Sequence, residues 1–95
     1  MTAAIKILAQ QIASLNEQAY HSYAPLVEET INSKTSNQKQ IEHLLDGLLD
    51  FCGTEKILSL FKKLCRYYWK INPNATAEYV NIYRKLWDSE EEQNS

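Results

Sequence analysis

The chain has 95 residues, ten Lys or Arg against twelve Asp or Glu, and a hydrophobic share of 44%. That length holds one hydrophobic core, and two Gly and two Pro in the whole chain favour helices with short connections over turn-rich β architectures. No apolar run approaches the ~20 residues that span a bilayer, and Met1–Lys6 lacks the basic and apolar regions of a secretion signal, so a cytoplasmic protein with no membrane partner is expected.

The first element begins after Thr2, which is placed to cap it. Ile5, Leu8, Ile12, Leu15 and Ala19 recur at alternating spacings of three and four, an a/d seam that continues in register through Tyr23, Leu26 and Thr30. Pro25 falls on the outer side of this stripe. Either one long helix is kinked there, losing the hydrogen bond to the His21 carbonyl, or a helix stops near Tyr23 and another opens with Pro25 in its first turn. The unbroken stripe favours the kink. A helix of some thirty residues would reach ~45 Å, so its N-terminal part is expected to overhang the bundle. Ile5, Leu8, Ile12 and Leu15 would then offer a dimer seam to a second copy of the chain.

Asn32–Asn37 is a polar turn in which Ser36 or Asn37 can cap the second helix. That helix, over Gln38–Cys52, buries Ile41, Leu44, Leu45, Leu48, Leu49, Phe51 and Cys52. Glu42, Asp46 and Asp50 form an acidic face on its outer edge. Gly53 suits the left-handed position after that helix, and Thr54 caps the next. Glu55–Ile71 splits cleanly into two arcs. Ile57, Leu58, Leu60, Phe61, Leu64, Cys65, Tyr67, Tyr68 and Ile71 fill one, while Lys56, Lys62, Lys63, Arg66 and Lys70 fill the other. An apolar arc covering about half the circumference marks the central helix of a bundle. Asn72-Pro73-Asn74 ends it. A last helix over Ala75–Asp88 turns Ala75, Thr76, Tyr79, Val80, Ile82, Tyr83, Leu86 and Trp87 inward. Ser89–Ser95 has no apolar residue and reads as a disordered acidic tail. The expected fold is all-α: a compact antiparallel bundle of four helices, five if Pro25 separates two, in one domain over residues 1–88.

Charge is distributed in blocks. Residues 1–55 carry three bases and seven acids, residues 56–85 seven bases and one acid, and residues 86–95 four acids. Such asymmetry either neutralises itself within the molecule or marks where a charged partner binds. Cys52 and Cys65 lie thirteen apart, no metal or redox spacing, and both fall on apolar arcs, where reduced cysteine acts as a small hydrophobe. No phosphate loop, metal motif or nucleophile elbow is present, and His21 and His43 stand alone. No cofactor, metal or catalytic residue is therefore expected.

The basic strip carries the most functional information. Lys62, Lys63, Arg66 and Lys70, with Trp69 at the seam between the arcs, combine cations for an anionic partner with an aromatic interface anchor. The same composition suits nucleic acid, with cations on phosphates and an aromatic for stacking. Against both stands a solvated face, or internal pairing with Glu42, Asp46 and Asp50. Those three carboxylates, one helical turn or ~6 Å apart, also approximate the spacing of phosphates along a strand.

Leu48-Leu49-Asp50-Phe51-Cys52-Gly53, Lys63-Leu64-Cys65-Arg66-Tyr67-Tyr68 and Tyr83-Arg84-Lys85-Leu86-Trp87-Asp88 resemble the texture of small helical accessory proteins of phages and mobile elements in low-GC bacteria. The resemblance covers roughly residues 20–88. It implies a small inhibitor or regulator that acts by binding, of the anti-defence kind used against host systems, and it implies no catalytic residues. The expected function is a non-enzymatic protein-binding module using Lys62, Lys63, Arg66, Trp69 and Lys70, with a nucleic-acid-binding protein as the alternative.

Overall fold

Four helices are the regular elements among the described residues, which in this computed structural model run from 2 to 87, with side chains at Gln11 and from Ser14 onward. They are α1 (Thr2–Asn32), α2 (Gln38–Leu49), α3 (Glu55–Trp69) and α4 (Pro73–Trp87). Pro25 lies within α1, on its exposed side. No described helix is long and apolar enough to cross a membrane.

Each boundary has a local cause. At the end of α1, Lys34 adopts a left-handed φ of 55°. Its N–H donates to the Ile31 carbonyl at 3.1 Å, and that of Thr35 to Thr30 at 3.4 Å. This is the Schellman arrangement, formed here without the usual glycine. Asn37 caps α2, its Oδ1 accepting from Gln40 N at 3.2 Å. α2 ends three residues earlier than the sequence suggests. The N–H groups of Asp50 and Phe51 reach back to Gly47 and Leu48, tightening the last turn. Gly53 is not left-handed. Its missing side chain serves a close approach instead: a Cβ there would lie 2.9 Å from Cζ3 of Trp87. Thr54 caps α3 by accepting from Ile57 N at 3.4 Å. Asn72 caps α4, its Oδ1 accepting from Ala75 N at 3.0 Å, with Pro73 at the first helical position, where its missing N–H is harmless.

Cross-helix contacts fix the directions. Tyr68, near the end of α3, donates to Glu42, near the start of α2, so α2 and α3 are antiparallel. Phe61 stacks at 5.8 Å on Tyr83, which makes α3 and α4 antiparallel. Lys56 meets Glu17 and Lys63 meets Glu28, so α1 runs parallel to α3. α3 packs against each of the other three helices, the central position its two-sided composition implies.

The core is supplied chiefly by α2 and α3. Ile41, Leu45, Leu48, Ile57, Leu64 and Tyr68 are sealed from solvent, and α1 adds Val27 and Thr30. The Thr30 hydroxyl is satisfied by the Leu26 carbonyl at 2.8 Å. α4 contributes less than its apolar arc suggests. Thr76 and Tyr79 are buried, but Val80, Ile82, Leu86 and Trp87 remain exposed. Trp87 still ties α4 down, its Nε1–H donating to the Leu49 carbonyl at 2.8 Å, one of the carbonyls left over at the end of α2.

The dimer seam fares unevenly. Ile5, Leu8 and Ile12 lie outside the residues whose side chains are described. Leu15 is 58% exposed and borders a shallow groove with Phe51 and Trp87. Where α1 packs, the buried line runs through Ala19, Val27 and Thr30, with Tyr20, Tyr23, Ala24 and Ile31 beside it. Leu26 is displaced to the exposed edge.

Candidate functional site

The basic strip of α3 is divided between two flanks. On the α1 side, Lys56 Nζ lies 3.1 Å from Glu17 Oε1 and 5.5 Å above the Tyr20 ring. Lys63 Nζ is ion-paired with Glu28. Tyr67 lies on this side as well, its hydroxyl donating to the Thr35 carbonyl at 2.6 Å, which anchors the α1–α2 turn. Two of the five strip cations are thus matched within the molecule.

Lys62, Arg66 and Lys70 are exposed and have no carboxylate within ion-pair distance among the described residues. Lys62 and Arg66 edge a trough between α3 and α4 whose floor is Leu58, Phe61, Cys65, Val80 and Tyr83. Trp69 extends this trough at its far end, beside Arg66, Thr76 and Val80. The residue is 56% exposed, an aromatic at the margin of a cationic edge. Arg84 stands on the α4 side. Of the residues expected at the site, Lys62, Arg66 and Trp69 come together, Lys70 lies on the same outer face, and Lys63 is turned toward α1.

The acidic face does not pair with these cations. Glu42 turns inward to accept from the buried Tyr68 hydroxyl, beside Gln38 Oε1 at 3.3 Å. Burial pushes the Tyr68 phenol up to about 12, with the hydrogen bond to Glu42 adding to it. Burial likewise raises the Tyr79 phenol, and the carboxylate of Asp46 reinforces the shift. Asp46 and Asp50 themselves are exposed. The carboxylates that pair with lysines of α3 come from α1, and sequence reasoning missed both. Glu17 and Glu28 are eleven residues apart, three full turns, and so share one face of α1. That spacing was the available signal.

Cys52 and Cys65 are both reduced and buried. Burial pushes each thiol up to about 12, and for Cys65 the neighbouring Cys52 adds to the shift. A thiol so far from ionising is no nucleophile near neutral pH. Among the described residues no three His, Cys, Asp or Glu side chains converge as a metal site would need.

Comparison with known proteins gives no match to a family model, a curated protein or a solved structure.

Proposed function

We propose that this chain is a non-enzymatic protein-binding module of the cytoplasm, a small inhibitor or regulator that engages its target through Lys62, Arg66, Trp69 and Lys70, with Lys63 at the border. One observation carries this: the half of the strip facing α4 keeps its charge unpaired beside an exposed tryptophan, while the half facing α1 is neutralised. Trp and Arg are the residues that most often dominate binding energy at protein interfaces. The resemblance to accessory proteins of phages and mobile elements supports a host defence system as the target class.

The test is capture from a lysate of low-GC bacteria, treated with nuclease, with wild type and a Trp69→Ala/Arg66→Glu variant as baits. Wild type is expected to retain a protein that the double variant loses by about tenfold or more, the scale on which hot-spot residues act. The variant's urea midpoint should be unchanged, since both side chains are exposed. Equal retention by both baits would remove the site assignment.

The same unpaired cations favour one second reading, binding of nucleic acid across Lys62, Arg66 and Lys70. It requires a gel shift whose affinity falls steeply with salt; an absent or salt-independent shift eliminates it. Homodimerisation through Ile5, Leu8, Ile12 and Leu15, and a bend of α1 at Pro25 that would aim this seam, belong to the same proposal. The exposure of Leu15 supports the seam, and sedimentation of wild type against Leu8→Glu tests it.

A further inference from the structure

The trough between α3 and α4 has a definable occupant. From Leu58 to Trp69 it runs along α3 for eleven residues, about 16 Å of helix. The floor is apolar, the edges carry Lys62 and Arg66 on one side and Arg84 on the other, and no carboxylate lines it among the described residues. The opposite flank of α3 shows how such a surface is satisfied. There α1 lies along α3 as an amphipathic helix, burying Val27 completely and extending Glu17 and Glu28 to Lys56 and Lys63. Both flanks offer apolar surface bordered by cations, and across the trough between α3 and α4 no third helix lies among the described residues.

We infer that the trough receives an acidic amphipathic helix of the target protein, about three turns long, seating apolar residues at i, i+4 and i+7 over Cys65 and Val80 and presenting carboxylates to Lys62, Arg66 and Arg84. This rests on the binding-module proposal and specifies its partner. The other occupants fit less well. A nucleic acid would satisfy the cations and leave the floor uncovered. The chain's own residues 88–95 supply four carboxylates but no apolar side chain. The first sixteen residues of a second copy carry no acid at all.

The experiment pans a display library of ~16-residue peptides against the full chain, with counter-selection on the Trp69→Ala/Arg66→Glu variant. The best synthetic peptide is then titrated into isotope-labelled full chain. The expected outcome is enrichment of helical sequences with an apolar stripe flanked by Asp or Glu. Resonance shifts should centre on the Trp69 indole and Val80, and affinity should drop about tenfold for Arg66→Glu or for a charge-reversed peptide. Val80→Glu provides a second variant that blocks the floor and leaves the cations intact. Selection of basic, proline-rich or no sequences would overturn the inference, as would shifts confined to another face. Displacement of the selected peptide by a peptide of residues 88–95 would reassign the trough to the tail. Self-association abolished by Trp69→Ala would reassign it to a second copy. If lysate capture depends on Arg66 and Trp69 but no acidic helix is selected, the binding module stands and the helix is discarded. If acidic helices are selected while capture ignores both residues, the trough keeps its ligand and the proposed function loses its site.

Discussion

The two flanks of α3 are built from similar materials and end differently. Toward α1, cations meet Glu17 and Glu28 and the apolar edge is capped by Val27. Toward α4, cations of the same helix meet no carboxylate among the described residues, and Val80 and Trp69 stay exposed. Stability alone would close both sides, because apolar surface left in water forfeits about 25 cal/mol per Å². Under the proposed function, the unpaired cations beside an uncovered aromatic are what the interface retains at the expense of the free chain.

The largest expected effect concerns how closed the structure is beneath the trough, where Cys65 forms part of the floor. Burial raises the Cys52, Cys65 and Tyr68 groups to about 12, from 9.0 for the thiols and 10.0 for the phenol. The folded chain thus holds these protons more tightly than the unfolded chain. The stability they contribute is full below pH 9 and is lost as pH rises through 9 and 10 toward 12. Each buried group costs about 1.4 kcal/mol per pH unit once its unfolded form has titrated. The urea midpoint should stay level from pH 7 to 8.5 and fall steeply by pH 10.5. A level midpoint throughout would mean that water already reaches Cys65, making the trough a cleft instead of a surface groove.

Truncating one valine on each flank compares the two directly. Val27→Ala removes a side chain with no exposure and should cost about 2 kcal/mol. Val80, 39% exposed, should cost less than about 0.5 kcal/mol, as surface positions do. The measurement is urea unfolding of both variants. Equal losses would show that something covers the α4 flank in the free protein, and the contrast between the flanks would collapse.

Much of this molecule was legible in its sequence, and the misses share a physical cause. The α3 arcs placed that helix at the centre, Thr54 announced its cap, and Asn37 was one of two candidates beside Ser36, because these are properties of one helix or one turn. The errors came where a distant neighbour decides. Gly53 looked like a helix terminator and is instead a landing place for the Trp87 ring. Lys34 takes the left-handed position that a glycine would have advertised. Val80, Ile82, Leu86 and Trp87 are apolar and correctly phased, yet they stay exposed among the described residues. At the candidate site, the cluster of Lys62, Arg66 and Trp69 was visible from helical spacing. The neutralisation of Lys56 and Lys63 was not, because it depends on α1 running parallel to α3, and no local pattern encodes that.

The smallest expected effect separates the two halves of the strip most cleanly. Lys63→Gln breaks the pair with Glu28, in which both side chains are 47% exposed, and should cost about 0.2–1 kcal/mol in low salt and less as salt screens the pair. Lys62→Gln breaks no described pair and should leave the urea midpoint unchanged at any ionic strength. If the strip were one continuous binding surface, both substitutions would weaken partner capture alike. If it is divided as the contacts indicate, Lys63→Gln costs stability and little binding, whereas Lys62→Gln costs binding and no stability. A chain in which neighbouring lysines trade these two losses uses one to hold α1 and keeps the other for a partner.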